Sequence, residues 1–282
     1  MLHRLRAREL RLQPELTEKL EALFAPTEMH ATKACLQGHN GTVWTNDLNN
    51  PTAAQIQVGA THYFVGDCQY AVELLSNFNE YMCATVFDDQ WKAILEERFK
   101  NRFSIDTRTV FEHDPAHFDI AKLSKLANDL PVGYSIKPID LSFLENAELH
   151  SLIPVTGPQY KNAQDFLARG LGYCVLFDGK DDKNEGEAAN CEPTQAQMVG
   201  AAASHNNYDD GIEVDICIDG AHRQKGLATA VCATLILHCL EQGLFPYWDA
   251  ANESSVKLAQ KLGYKKAGVY DSYFIYRFFE QD

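Results

Sequence analysis

Arg223 and Lys225 stand just ahead of Gly226 in the stretch RQKGLA, where an apolar run gives way to a long amphipathic one. The first amides of a helix have no intrahelical partner, and the helix dipole adds partial positive charge in front of them. Gly226 lets an anion approach the backbone closely, and the two cationic side chains sit at the rim. Such a segment can hold a polyanion. The same residues would also suit a charged but otherwise ordinary helix start. Just upstream, GIEVDICID alternates: Val214, Ile216 and Ile218 turn one way, and Glu213, Asp215 and Cys217 the other. Two carboxylates on one strand face can take a proton from an amine, or attract it as a cation.

These residues need a strand, a loop and a helix to place them. GIEVDICID reads as the strand and GLATAVCATLILHCLEQG as the helix, with Leu227, Val231, Leu235 and Cys239 repeating at four and Gly243 as its stop. LFPYWDA follows as a strand. NESSVKLAQKL is a helix capped by Asn252 and closed by Gly263, and YKKAGVYDSYFIYRF ends the chain as two strands, read as a hairpin. Upstream, YSIKPID and GYCVLFDGK read as strands around the helical segments LSFLENAELHSLI and NAQDFLARG. The polar stretch 181–195 reads as a solvated hairpin loop or insertion, and AQMVGAAASH as a strand. The order is β-α-α-β-β-β-α-β-α-β-β, an α/β (α+β) pattern of antiparallel hairpins followed by a βαβ crossover. Before it come a helical N-terminus, four short strand-like runs, helices over 69–79 and 89–100, an extended run and another helix. Pro131-Val132-Gly133 marks the expected boundary, giving domains 1–130 and 131–282.

Composition removes several classes of function. The 282 residues are 45% hydrophobic, enough for a substantial core. Twenty-five basic and 39 acidic residues give a formal charge of −14, which argues against nucleic acid and anionic lipid and mildly favours cationic substrates. Eight cysteines without a C-x-x-C pair read as reduced thiols of a cytoplasmic protein. The charged N-terminus does not read as a signal peptide, and no run is long enough for a membrane span. No metal is expected: His113 and His117 have helical ligand spacing, but Pro115 separates them and no third ligand is evident. G-x-S-x-G, P-loop and Rossmann patterns are absent.

Taken together, GIEVDICIDGAHRQKGLAT and YWDAANESSVKLAQKLGY resemble the GNAT superfamily of acyl-CoA-dependent N-acyltransferases. The first resembles that fold's fourth strand, pyrophosphate loop and third helix; the second resembles its fifth strand and fourth helix. With DLNNPTAAQIQVGATHYFVGD and HCLEQGLFPYW, the likeness extends to the two-part GNAT proteins related to the zwittermicin A resistance acetyltransferase. The resemblance implies a mixed central sheet that splays between its fourth and fifth strands. It implies that acetyl-CoA lays its pantetheine along Ile216, Cys217 and Ile218. The pyrophosphate would rest on Arg223, Gln224, Lys225, Gly226, Leu227, Ala228 and Thr229, and Asn252 and Ser255 would face the splay. A fourth-strand amide would polarise the thioester carbonyl. The first half is open to reading as a decayed copy of the same fold. HYFVGDCQYAVELLSNF parallels the second half's strand, loop and helix without the cationic loop, so it is not expected to hold coenzyme A.

The implied reaction moves an acetyl group to the primary amine of a small molecule. The amine must lose a proton first, and Glu213, then Asp215, are the candidate bases. Many members carry a tyrosine seven residues after the helix Asn as acid for the leaving thiolate; that position is Ala259 here, with Tyr247, Tyr270 and Tyr273 as weak substitutes. The alternative is an acyl-CoA-binding or regulatory protein that kept the cleft and lost the chemistry. Neither the acceptor nor the oligomeric state is legible.

Overall fold

The computed structural model describes residues 2–78, 80–153, 159–179 and 196–276. The polar stretch 181–195 lies outside the described residues.

The chain begins with β1 (His3–Arg6), α1 (Ala7–Leu10), α2 (Pro14–Phe24) and α3 (His30–Leu36). There follow β2 (Thr42–Thr45), β3 (Ala53–Val58), β4 (Thr61–Gly66), α4 (Ala71–Leu74), β5 (Tyr81–Val86), α5 (Asp89–Arg98) and β6 (Phe103–Phe111). Next are α6 (Ile120–Ala127), β7 (Tyr134–Pro138), α7 (Leu141–Leu144), α8 (Ala147–Leu152), α9 (Ala163–Arg169), β8 (Gly172–Phe177), β9 (Gln197–Tyr208) and β10 (Gly211–Ile218). The path closes with α10 (Leu227–Glu241), β11 (Phe245–Tyr247), β12 (Asp249–Ala250), α11 (Glu253–Leu262) and β13 (Lys266–Tyr276). Two compact units result: residues 1–110, 250–252 and 267–282 form one, and residues 111–249 and 253–266 the other.

The first unit is built on an eight-stranded sheet in the order β1-β2-β3-β4-β5-β13-β6-β12. Its N-terminus is not wholly helical: His3–Arg6 pair antiparallel with Thr42–Thr45 before the helices start. β2, β3 and β4 run antiparallel, and β4 then pairs parallel with β5. β13 pairs antiparallel with β5 as one long strand, not as the two arms of a terminal hairpin. Its register, Ser272 opposite Thr85 through Tyr276 opposite Tyr81, gives Tyr273 and Ile275 to the core around Met82, Ala84, Trp91 and Leu95.

The second unit has a five-stranded sheet, β11-β10-β9-β8-β7. β7 to β10 are antiparallel neighbours, and β11 joins β10 in parallel. One face is filled by Leu144 of α7, Leu149 of α8, Phe166 of α9 and the intervening Tyr160, packed on Cys174, Leu176, Met198, Ala201 and Ala203. Two alanines of β9, Ala201 and Ala203, keep that face shallow enough for the aromatic rings. α10 packs on β8 to β11 and is covered on another side by α6. That second cover explains why the helix is apolar nearly all round, with Thr229, Ala230, Val231, Cys232 and Ala233 buried in succession. A helix with one wet face would not bury five consecutive residues. Among the described residues, no helix is long and apolar enough to cross a membrane.

Both units therefore repeat one plan, antiparallel strands followed by a parallel pair. The crossover between the parallel strands differs: the first unit has the four-residue α4, the second the 15-residue α10.

Candidate functional site

The parallel ladder between β10 and β11 is short. Gly211, Ile212 and Glu213 face Phe245, Pro246 and Tyr247, and there it stops. β10 continues through Val214–Ile218 beside β9 alone. The direction of its backbone groups follows from one bond: the Asp219 N–H donates to Val199 O of β9 at 2.9 Å. Antiparallel rungs alternate, so Asp215 and Cys217 also turn their groups to β9, while Val214, Ile216 and Ile218 turn theirs to the side β11 has left. Two of those groups have internal partners. The Ile216 N–H donates to Asp215 Oδ1 at 2.9 Å, and Ile218 O accepts from Arg223 Nε at 3.0 Å. Cys217 differs from its neighbours, with a side chain packed against the core around Tyr160 and Phe166.

Beyond β10 the chain makes a single turn at Gly220–His222 and reaches α10 through Arg223–Gly226. Gln224 and Gly226 both adopt left-handed backbone, at φ 62° and 84°. Left-handed residues of this kind can turn successive N–H groups to one side of a loop, an arrangement suited to anions. The loop opens onto the first turn of α10, whose leading amides lack helical acceptors. Cations surround it. Lys225 Nζ donates to Tyr134 Oη at 2.9 Å, and Tyr134 Oη lies 2.8 Å from His222 Nδ1. Lys261 Nζ of α11 donates to Thr229 Oγ1 at 3.3 Å. Leu227 and Thr229 are themselves buried, so their side chains serve packing.

Glu213 and Asp215 are both half-buried on β10. Asn206 Nδ2 donates to Glu213 Oε2 at 2.6 Å. Burial pushes the Asp215 carboxyl above the usual carboxylate range, partly opposed by His205 and by the Ile216 N–H. His205 was not legible as a site residue, yet its Nδ1 stands 3.9 Å from Asp215 Oδ2.

The model of the GNAT acetyltransferase family matches residues 21–273. The chain belongs to that family. An uncharacterised N-acetyltransferase of Bacillus subtilis, YdfB, is 26% identical over 250 residues, covering 83% of this chain and 85% of the relative. A GCN5-related N-acetyltransferase-like protein from Streptococcus suis aligns with a TM-score of 0.79 at 27% identity, over 94% of this chain and 99% of that one. A tandem GNAT protein from the clavulanic acid biosynthesis pathway shares the fold over the whole of both chains, with a TM-score of 0.58 at 13% identity. The protein is an acyltransferase of the N-acetyltransferase type, with the two-part GNAT fold.

In this GNAT chain Asn252 is exposed in the turn before α11, and Ser255 lies in that helix's first turn. Ser255 Oγ accepts from the indole N–H of buried Trp248 at 3.0 Å, a bond that fixes the start of the helix. Ala259 is fully buried, so the packing of α11 leaves no room there for a tyrosine. Tyr247 is buried in β11 opposite Glu213. Tyr270 packs against the first unit's core, and Tyr273 donates to Glu96 Oε1 at 2.9 Å in the same unit. The histidine pair dissolves: His113 stacks on Phe245 with ring centroids 3.9 Å apart, while His117 faces Glu112 and Asp114 at 3.3 Å each.

Proposed function

We propose that the protein transfers the acetyl group of acetyl-CoA to the primary amine of a small molecule. One observation carries this reading. β10 keeps five residues beyond its last β11 partner, and the left-handed turns at Gln224 and Gly226 lead from that open edge to the start of a long helix. An extended arm ending in a diphosphate matches that sequence of surfaces: hydrogen-bonding strand edge first, anion concavity next.

In this reading Val214, Ile216 and Ile218 offer backbone groups to the pantetheine arm. The amides of 223–229 hold the diphosphate, with Arg223, Lys225 and Lys261 supplying charge, and Asn252 and Ser255 flank the arm. Acetyl-CoA supplies an activated thioester. Glu213 and Asp215 attract a cationic amine. The Ile216 N–H is the amide that would polarise the thioester carbonyl, and Asp215 must release it first. A cytoplasmic setting accords with the seven described cysteines, which stand as thiols.

The test is thiol release from acetyl-CoA with polyamines, aminoglycosides and amino-acid amides as acceptors, alongside calorimetry with coenzyme A. Binding of coenzyme A, and turnover with at least one cationic amine, are expected. No heat with coenzyme A would defeat the reading; heat without turnover on any amine would leave a binding protein.

A further inference from the structure

β9 carries one residue more than β10 where the two face each other beside the parting. Glu213 opposes Asn206 and Val214 opposes Ser204, which leaves His205 without a rung. A bulge re-aims the side chain of its extra residue. Here it brings the imidazole to Asp215, on the stretch of β10 that β11 has left. The ring is held at its other end too. Gln159 Nε2 lies 3.1 Å from His205 Nε2, Gln159 is 6% exposed, and its backbone carbonyl accepts from Arg169. Both side chains stay partly accessible, with 34% of the His205 side chain and 38% of the Asp215 side chain exposed.

A separation of 3.9 Å is too long for a direct hydrogen bond, yet short enough for one donor to serve both groups. A nitrogen about 2.8 Å from each acceptor would see them about 90° apart, close to the spread of two N–H bonds on an ammonium. Glu213 is less available, since Asn206 already occupies one of its oxygens. Asp215 faces the ring from β10, Glu213 lies two residues along that strand, and Arg169 of α9 donates to the backbone of Gln159.

We propose that His205 Nδ1 and Asp215 together grip the acceptor's ammonium, and that His205 rather than Glu213 takes its proton. This rests on the amine-acetyltransferase reading and deepens it. The neutral ring carries its proton on Nε2 and keeps a lone pair at Nδ1 once the Gln159 amide is turned over, so that its oxygen, buried without a partner, replaces the amide nitrogen that faces Nε2. An ammonium N–H bond breaks, its electrons stay on nitrogen, and the proton goes to Nδ1. The resulting imidazolium faces Asp215 on one side. On the other the same Gln159 oxygen goes on accepting from Nε2–H. The freed amine pair forms the bond to the acetyl carbon, the C–S bond breaks, and the thiolate leaves with its electrons and takes the second amine proton. The acceptor class is an alkylammonium with at least two N–H bonds.

Two measurements test this. Nitrogen-15 NMR of the imidazoles in the full chain, assigned by the signal lost in His205→Gln, should show the Nε2–H tautomer, and butylamine should shift the Nδ1 resonance. The Nδ1–H tautomer, or no shift with the amine, overturns the proposal even if the wild type turns over nothing. In turnover, His205→Gln should lower kcat about 100-fold with the KM for acetyl-CoA unchanged, and added imidazole should restore part of the activity to His205→Ala. A His205→Gln enzyme within twofold of wild type also overturns it. A silent wild type whose NMR meets expectation indicts the substrate reading instead.

Discussion

Glu213 and Tyr247 form the last rung of the parallel ladder between β10 and β11. The open edge of the strand lies on the far side of that rung, where β10 runs on beside β9 alone. Glu213 thus stands at the mouth of the parting, with Asn206 fixing its carboxylate. Glu213→Gln keeps the shape and the possibility of that bond but removes the charge. Steady-state kinetics should show a KM for a cationic amine raised about tenfold with a much smaller change in kcat, since attraction rather than proton transfer is lost. A larger loss in kcat than in KM would move the proton acceptor back to Glu213.

Gly226 has left-handed backbone at φ 84°, and a β-carbon added there would meet nothing within 4 Å. The cost of Gly226→Ala is therefore conformational alone, about 1 kcal/mol. Thermal unfolding should show a Tm lower by a few degrees, and calorimetry a coenzyme A affinity weaker by about tenfold as the loop relaxes. Gly226→Asn should recover most of the Tm, because asparagine tolerates this region. Gln224, left-handed without being glycine, offers the opposite check: Gln224→Gly should stabilise the protein.

Trp248 is buried, and its indole N–H has Ser255 Oγ as acceptor at 3.0 Å. Ser255→Ala orphans that donor, at a cost of about 1–2 kcal/mol. Urea denaturation should show the loss with no ligand present. A serine serving only the cofactor would leave the unliganded stability unchanged, so equal midpoints for the two proteins would refute the structural role.

What could be read from the sequence was whatever local rules decide. Gly226, the cationic loop and the start of α10 follow from a glycine and charges at a helix entry, and they appear where expected. The direction of backbone groups along β10 is not local. Ile216 and Cys217 look alike as strand residues, but register against β9 turns Ile216 to the open edge and Cys217 away. His205 was hidden for the same reason. In AQMVGAAASH it closes an apolar run, and only the mismatch in residue count between β9 and β10 makes it a bulge. The C-terminal strand erred through its partner: KAGVYDSYFIY carries turn-like residues at its middle, yet pairing with β5 holds it straight. The decayed-copy reading of the first half rested on one strand-loop-helix echo, and the β4–β5 parallel pair with its shortened α4 shows where the echo ends.

The first unit holds a pH-sensitive element of its own. His62 on β4 is 1% exposed, its Nδ1 lies 2.6 Å from Gln55 Nε2, and its ring stacks on Phe64. Burial lowers it from 6.5 to about 4, so the folded protein keeps it neutral where an unfolded chain would protonate it. Folding stability is then fully present above pH 6.5. It falls as the pH drops from 6.5 toward 4, because the unfolded state binds the extra proton, and below 4 this contribution is spent. The size is about 3 kcal/mol. Urea denaturation of wild type and His62→Gln at pH 7.5, 6, 5 and 4 should show the wild type losing stability faster with acid by about that amount, whatever the two values are at pH 7.5. Parallel slopes would mean that His62 takes its proton as readily in the folded sheet as in the unfolded chain.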